Sequence, residues 1–167
     1  QFRAASMLLC LSPYCPMLFM GQEWAATAPF LYFTDHGGKL GENISVGRKK
    51  ELEKHGTEWA DGAFPDPESP ETFEQSKLRW EERNDNNHAL VLAWHQACLA
   101  QRRILLQDGP LDRDRWQVGS FGKFIAIRYS GRTRDHLLVV ALGKTNASDF
   151  PTAPLLTAPG CTRWREV

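Results

Sequence analysis

The chain has 167 residues, of which 42% are hydrophobic and 24% are charged, a balance typical of a globular protein. Its 20 basic and 20 acidic residues cancel, so we expect neither a nucleic acid nor an anionic membrane as a partner held by bulk electrostatics. The six tryptophans and nine phenylalanines can supply a core and also flat apolar faces for a neutral polar ligand.

The four cysteines are Cys10, Cys15, Cys98 and Cys161. They form no CxxC pair and have no histidine at zinc-ligand spacing, so we predict reduced thiols and a cytoplasmic protein rather than a disulfide framework. The apolar run over residues 4–20 is interrupted by Pro13 and Pro16, so it is too broken to span a bilayer. It also lacks the cleavage site of a signal peptide.

The first twenty residues indicate a helix followed by a buried strand. Residues 2–11 are rich in helix formers, and Pro13 ends the helix because the residue before a proline is pushed out of the helical region. Residues 17–20 are continuously apolar, which is typical of a parallel strand buried on both faces. Helix, loop and strand form one unit of an α/β fold. Because the chain opens without a methionine, we expect it to be part of a longer polypeptide.

A long excursion follows the predicted strand. It contains the aromatic segment 29–36, a mostly solvated helix predicted at residues 43–55, and a loop at residues 62–70 with three prolines, which favour extended or turn conformations. Excursions of this length are usually functional or disordered, and the dense aromatic residues favour a functional one.

The rest of the chain indicates a helix and then an antiparallel sheet. Apolar residues recur at helical spacing over residues 88–105, so we predict a helix there, capped by Asn86 or Asn87. Strands are predicted at residues 116–118, 124–129 and 136–142. We therefore predict an α/β domain over residues 1–108 and a small antiparallel, β-sandwich-like domain over residues 109–167.

Two carboxylates stand out as candidates for ligand contact. Glu23 follows the predicted strand, at the edge where α/β barrels carry their active sites; it could accept hydrogen bonds from sugar hydroxyls, or pair with a neighbouring arginine or backbone amide. Asp35 precedes His36 and a Gly-Gly turn, so it could bind a polar ligand or cap the turn. The candidate substrate-binding residues are Glu23, Trp24, Phe30, Phe33, Asp35 and His36.

We do not expect Glu23 and Asp35 to be a catalytic pair. Retaining glycoside hydrolases use two carboxylates about 5 Å apart, but barrel catalysts come from the ends of several strands, whereas these two follow one strand. No P-loop, dinucleotide-binding, zinc-protease or nucleophile-elbow motif is present. No metal and no other cofactor is expected.

Several segments resemble a known family. The run PMLFMGQE at residues 16–23 is similar to the last barrel strand of the α-amylase superfamily of glycoside hydrolases. The segments that resemble, within it, the malto-oligosyltrehalose trehalohydrolase family are PFLYFTDH at residues 29–36, FPDP at residues 64–67 and TFEQSKL at residues 72–78. The resemblance covers residues 1–105, and the later part fits only by position and pattern.

The resemblance implies a fold and an activity. The fold is the C-terminal part of a (β/α)8 barrel, with its last strand and flanking helices, followed by a β domain. The family cleaves the α-1,4-glucosidic bond next to the terminal trehalose unit of maltooligosyltrehalose and releases trehalose. Its retaining mechanism uses an Asp nucleophile, a Glu acid/base and a second Asp from an NHD motif. That motif does not occur here, so the resemblance implies that this chain holds none of the three catalytic residues and is inactive alone.

Three hypotheses remain open at this point. The chain is the C-terminal part of such a trehalohydrolase, the corresponding part of a branching enzyme or another α-glucan-active enzyme, or a non-catalytic carbohydrate-binding module. In each case the expected ligand is maltooligosyltrehalose or a related α-glucan oligosaccharide. Residues 17–20 would lack neighbouring strands in the isolated chain, so we expect exposed apolar surface there and a tendency to aggregate.

Overall fold

The computed structural model describes residues 1–54, 64–160 and 162–167. In chain order, its helices and strands are α1 (Phe2–Leu11), α2 (Gly38–Lys54), α3 (Pro70–Ser76), α4 (Asn86–Gln107), β1 (Trp116–Phe121), β2 (Phe124–Ser130) and β3 (Asp135–Ala141). The chain divides into two compact units. The first unit is Gln1–Trp24 together with Asp85–Val167, and the second unit is Ala25–Asn84.

Helix α1 begins and ends where the sequence predicts. Ser12 follows it in an extended conformation with ψ 158°, as expected for a residue that precedes a proline, and its hydroxyl donates a hydrogen bond to the Leu9 carbonyl at 3.1 Å. Helix α4 is two residues longer than predicted at each end, and its N-cap is Asp85 rather than Asn86 or Asn87.

The three predicted strands form one antiparallel sheet in the order β1-β2-β3. Ile127 in the central strand pairs with Val118 on one side and Leu138 on the other. A sandwich requires a second sheet packed face to face with the first, and the described residues form no second sheet. The sandwich-like expectation is therefore corrected to a single three-stranded sheet with helices against it.

The core of the first unit joins helices to this sheet. Its buried residues are Leu11, Leu105, Ile127, Tyr129, Leu138 and Val140. The Tyr129 hydroxyl donates a hydrogen bond to the Leu11 carbonyl at the end of α1, and burial raises the pKa of Tyr129 to about 12. Residues on both sides of position 108 thus share one core, and the division into domains 1–108 and 109–167 stays a prediction.

The predicted strand at residues 17–20 is not formed in this chain. Met17 is 87% exposed, Phe19 54% and Met20 49%, which is the apolar exposure expected of a strand segment without neighbours. A parallel strand takes its hydrogen bonds from adjacent strands, and none of the described strands pairs with these residues. The barrel strand therefore remains a prediction from the resemblance alone.

The second unit is built from α2, α3 and the segments between them. Helix α2 begins five residues before its predicted start, at Gly38, and the predicted last residue, His55, lies outside the described residues. Its only buried residue is Gly41, so the helix is mostly solvated, as predicted. Helix α3 begins with a proline at its first position, where the missing amide hydrogen costs nothing.

The thiols of Cys10, Cys15 and Cys98 are free, and Cys161 lies outside the described residues. Cys10 and Cys98 are buried, and burial raises the pKa of Cys98 to about 11. Within the described ranges, no helix is both long and apolar enough to cross a membrane.

Candidate functional site

Two of the segments that carry the family resemblance are hydrogen-bonded to each other in the second unit. The Thr34 amide, in segment 29–36, donates to the Pro67 carbonyl, in segment 64–67, at 2.8 Å. The Pro67 side chain is fully buried. The turn at residues 67–68, inside the proline-rich loop, therefore lies directly against the aromatic segment.

The third of these segments, residues 72–78, contains most of α3 and is bonded to both of the others. The Thr72 hydroxyl donates to the Asp66 carbonyl at 2.6 Å, and the Ser76 hydroxyl accepts from the Leu31 amide at 3.1 Å. Thr72 is 3% exposed and Ser76 is 4% exposed. Two buried hydroxyls with satisfied bonds thus link α3 to the loops on either side of α2.

Glu68 organises the turn that contains Asp35 and His36. Its carboxylate accepts hydrogen bonds from the Thr34 hydroxyl, from the His36 amide at 3.2 Å and from the Gly37 amide at 2.9 Å. The Thr34 hydroxyl, more than the other donors, holds the pKa of Glu68 below its usual range. Because amides of Gly37 and its neighbour point at one anion just before α2 begins, the arrangement has the form of a helix N-cap supplied from another segment.

Three glycines allow the backbone to approach the Glu68 carboxylate. Gly37 and Gly38 have φ +65° and +52°, the left-handed conformation that glycine adopts without strain. A Cβ at Gly41 would lie 2.6 Å from the Glu68 carboxyl, so only glycine leaves room for that side chain. Glu68 therefore accepts the hydrogen bonds of the backbone amides at the Gly-Gly turn. The sequence offered Asp35 as the alternative cap for this turn.

Asp66 fixes the turn from which Glu68 projects. The Asp66 carboxylate accepts from the Ser45 hydroxyl on α2 at 2.5 Å and from the Glu68 amide at 3.1 Å. The Ser45 bond is the largest reason why the pKa of Asp66 is lowered. The turn is thus tied to α2, and Glu68 meets the Thr34–Gly37 groups from a fixed base.

The side chains of Asp35 and His36 lie at the surface beside this network. Both residues are exposed, and within the described ranges neither the carboxylate nor the imidazole has a hydrogen-bond or ion-pair partner. The His36 imidazole has an electrostatic interaction with Glu68, which helps to lower the pKa of that carboxyl. Both exposed side chains keep hydrogen-bonding capacity for a polar ligand.

The predicted aromatic residues of this segment differ in exposure. Phe30 is 56% exposed, whereas Phe33 is partly buried and makes edge contacts with Phe30 and Phe73, with ring centroids 5.9 Å and 5.1 Å apart. Phe33 therefore packs behind Phe30. The neighbouring Tyr32 has the Arg48 guanidinium 5.3 Å from its ring centroid.

A shallow pocket lies beside these aromatic residues in the second unit. Its walls include Phe30, Tyr32, Arg48, Leu52, Phe64 and Pro67. Apolar and aromatic walls with a single cationic group suit a neutral ligand that is flat on one face and polar at its edge.

The remaining predicted residues, Glu23 and Trp24, lie in the first unit. Both belong to a 3₁₀ turn over Gln22–Trp24. The Trp24 carbonyl accepts a hydrogen bond from His88 Nδ1 at 2.8 Å, and its side chain is only 2% exposed. Trp24 therefore packs inside the unit, and its expected contact with a ligand stays a prediction. Glu23 is partly exposed.

Sequence reasoning missed Glu68 and Asp66. They are the two acidic residues of the proline-rich loop, and 31 to 34 residues separate Glu68 from its partners at Gly37 and Thr34. One feature of the sequence could have pointed to them. Asp66 lies inside the segment of family resemblance at residues 64–67, and Glu68 follows that segment directly. Within residues 1–54, 64–160 and 162–167, no group of three histidine, cysteine or acidic side chains is arranged to hold a metal ion.

Comparison with family models gives no match, but curated proteins do match. The chain is 37% identical over 147 residues to the malto-oligosyltrehalose trehalohydrolase of Deinococcus radiodurans, covering 86% of this chain and 24% of that protein. It is 43% identical over 108 residues to the malto-oligosyltrehalose trehalohydrolase of Arthrobacter ramosus, covering 64% of this chain and 18% of that protein. The matches lie in the C-terminal part of these relatives, and the chain spans about a quarter or less of their length.

A solved structure supports the same relationship. The protein named "Putative alpha Amylase" from Salmonella typhimurium superposes with a TM-score of 0.69 at 30% sequence identity. The superposition covers 96% of this chain and 28% of that one. The fold described above is therefore also found within a longer, amylase-like protein.

Proposed function

Because this chain is homologous to the malto-oligosyltrehalose trehalohydrolases over the C-terminal part of those proteins, we propose that it is the C-terminal part of a glycoside hydrolase of the α-amylase superfamily. The enzyme cleaves the α-1,4-glucosidic bond next to the terminal trehalose unit of maltooligosyltrehalose and releases trehalose. The proposal rests on sequence identity to relatives that are named malto-oligosyltrehalose trehalohydrolase. It is supported by the way three segments of family resemblance meet in the second unit.

This chain contributes part of the wall of the substrate site. Asp35 and His36 are exposed, and their side chains make no hydrogen bond among the described residues, so they can exchange hydrogen bonds with sugar hydroxyls. Phe30 offers an exposed ring to the apolar face of a glucose unit, and Phe33 supports it from behind. In the first unit, Glu23 is proposed separately as a polar contact, and Trp24 fixes the turn that carries it.

The catalytic carboxylates lie outside this chain. Retaining glycoside hydrolysis needs a nucleophile and an acid/base on either side of the scissile bond, about 5 Å apart. The proposed contacts of the second unit include one carboxylate, Asp35, and the described residues that line the neighbouring pocket include no acidic side chain. The chain alone therefore binds substrate weakly and does not cleave it.

The test is a product assay on the full-length polypeptide that carries this segment. Incubation with maltooligosyltrehalose is expected to yield free trehalose and a maltooligosaccharide shortened by that unit. New α-1,6 linkages formed from an α-glucan without trehalose release would show a branching enzyme instead. Residues 1–167 alone serve as the matched control and should release no trehalose; release by this chain would overturn the assignment of the catalytic residues.

A further inference from the structure

We infer that Glu68 is a positioning residue, which holds the Asp35–His36 backbone so that both side chains meet the α-glucan; this inference rests on the proposed function of those two residues. Glu68 itself does not face the ligand, because its carboxylate is engaged by Thr34, His36 and Gly37. Its effect on the reaction is exerted through the turn.

Glu68 binds the backbone segment around Asp35 from both sides. The groups that Glu68 binds lie on both sides of Asp35: the Thr34 hydroxyl comes before it, and the amides of His36 and Gly37 come after it. Among the described residues the Asp35 side chain has no partner, and the His36 side chain interacts only electrostatically, with Glu68 itself. The backbone that Glu68 holds therefore sets where both side chains start. A polar contact misplaced by about 1 Å can reduce an enzymatic rate by two orders of magnitude.

Helix α2 leaves space for the Glu68 carboxylate because residue 41 is a glycine. Gly41 lies on α2, one turn beyond the Gly-Gly turn, and a Cβ there would come within 2.6 Å of Glu68 Cδ and Oε2. Gly47, on the same helix, has nothing within 4 Å of the corresponding position. The helix thus approaches closely where Glu68 binds, and the close approach is specific to that position.

A purely structural role makes a different prediction. If Glu68 only caps α2, its loss weakens the second unit but leaves the dependence of the rate on Asp35 unchanged. If Glu68 acts through Asp35, then Glu68→Ala should have no further effect on kcat/KM in an enzyme that already carries Asp35→Ala. A double-mutant cycle separates the two.

The experiment uses the full-length enzyme with maltooligosyltrehalose and the variants Glu68→Ala, Asp35→Ala and the double substitution. Each single substitution is expected to lower kcat/KM by about ten- to a hundredfold, mainly through KM. The double variant should be no worse than the more severe single one. Glu71→Ala is the matched control, because Glu71 is a carboxylate near the start of α3 that accepts a bond from the Ser69 hydroxyl; its kcat/KM should equal that of the wild type.

A second pair of variants keeps Glu68 itself. One of them, Gly41→Ala, displaces its carboxylate, and the other, Gly47→Ala, is the control. In Gly41→Ala the new methyl group displaces the flexible end of Glu68, so we expect a loss of kcat/KM similar to that of Glu68→Ala in a protein that still folds. Gly47→Ala places the same methyl group in open space and should keep wild-type kinetics. In both Glu68→Ala and Gly41→Ala, the amide hydrogens of His36 and Gly37 should exchange faster with solvent.

The outcomes are distinguishable. Wild-type kcat/KM in Glu68→Ala, or losses that simply add in the double variant, would overturn the positioning role. Wild-type kcat/KM in Asp35→Ala together with His36→Ala, in an enzyme that does release trehalose, would also overturn it while leaving the hydrolase function intact. If the wild-type enzyme releases no trehalose at all, the proposed function fails, and the inference fails with it.

Discussion

Arg102 binds three carbonyl groups where α1 ends. Its Nη1 donates to the carbonyls of Cys10 and Ser12 at 3.1 and 2.7 Å, and its Nη2 donates to that of Tyr14 at 2.9 Å. The last carbonyls of a helix have no partner within the helix, and a planar guanidinium can reach several of them at once. Arg102, on α4, therefore directs the chain as it leaves α1.

Replacing Arg102 by Lys should lower the free energy of unfolding by about 1–3 kcal/mol, because an ammonium group cannot serve three carbonyls in this geometry and some of them lose their partner. Urea unfolding followed by tryptophan fluorescence measures the change. Arg103→Lys is the control: Arg103 is exposed, so its substitution should change stability by less than about 0.5 kcal/mol. Equal midpoints for the two variants would contradict the proposed role of the three bonds.

Asp108 joins the end of α4 to the turn between β2 and β3. Its Oδ1 accepts from the amide and hydroxyl of Thr133 at 2.8 and 2.7 Å, and its Oδ2 accepts from the Arg134 amide at 3.3 Å and from His136 Nε2 at 2.9 Å. These bonds, with that of the Thr133 side chain first, hold the pKa of Asp108 well below its usual range. A negative charge at a helix C-terminus is ordinarily unfavourable, and here it is offset by four donors.

This lowered pKa predicts how stability depends on pH. A carboxylate whose pKa is lower in the folded state stabilises the fold above its ordinary pKa of about 3.9, and that stabilisation is lost as pH falls toward the folded-state value. Melting temperatures measured from about pH 7 to pH 2 should therefore fall less steeply at the acid end in Asp108→Asn than in the wild type. Asp114→Asn, at an exposed position, should keep the wild-type slope. Identical slopes for all three proteins would show that Asp108 contributes nothing.

At the scale of elements, the sequence predicted those whose signal is local. Helix α1 was predicted to the residue because Pro13 marks its end. Helix α4 was predicted to within two residues at each end because its apolar residues recur over many turns. The hairpin of β2 and β3 was predicted because a polar, glycine-containing turn separates two apolar runs.

Elements that depend on distant partners were not predictable in the same way. Residues 17–20 have the composition of a strand, but a parallel strand exists only if neighbours supply its hydrogen bonds, and the described strands do not. The Glu68 network joins groups more than thirty residues apart, and no periodicity marks such a pair. The exposed candidate residues Asp35 and His36 were predicted, but what holds them in place was not.

The turn between β2 and β3 gives a prediction at this scale. A Cβ on Gly131 would lie 2.1 Å from Asp108 Oδ2 and 2.3 Å from the Arg134 carbonyl oxygen, and the latter is backbone that cannot rotate away. Gly131→Ala should therefore lower the free energy of unfolding by about 1–3 kcal/mol through overpacking. Gly143→Ala is the control, because its Cβ would meet only the flexible Lys123 side chain at 3.2 Å. A wild-type urea midpoint for Gly131→Ala would refute the clash.

At the scale of the whole molecule, exposed large apolar residues occur in both units, and four of them lie close together in sequence between residues 14 and 20. Tyr14 is 69% exposed, Met17 87%, Phe19 54% and Met20 49%. Exposed apolar side chains that occur singly are normal, but several together mark a surface that another part of a protein covers. This stretch contains the segment that resembles a barrel strand, so under the proposed function its cover is the rest of the barrel.

The proposal therefore predicts opposite effects of one substitution in two settings. In residues 1–167 alone, which should elute above their mass of 18.9 kDa through self-association, Met17→Ser should shift elution toward the monomer because it removes exposed apolar surface. In the full-length enzyme, where the strand is buried, the same substitution should destabilise by about 2–4 kcal/mol. Size-exclusion chromatography and thermal melting measure the two effects.

Val167→Ser is the matched control for this comparison, because Val167 is 95% exposed but lies at the end of the chain, far in sequence from that stretch. It should change neither elution nor melting, since a lone exposed valine contributes little to association. A monomeric wild-type chain with a sharp, cooperative melt would favour the independent carbohydrate-binding module over the barrel segment. A Met17→Ser variant that leaves the full-length enzyme as stable as the wild type would do the same, because it would show that no neighbouring strand covers this residue.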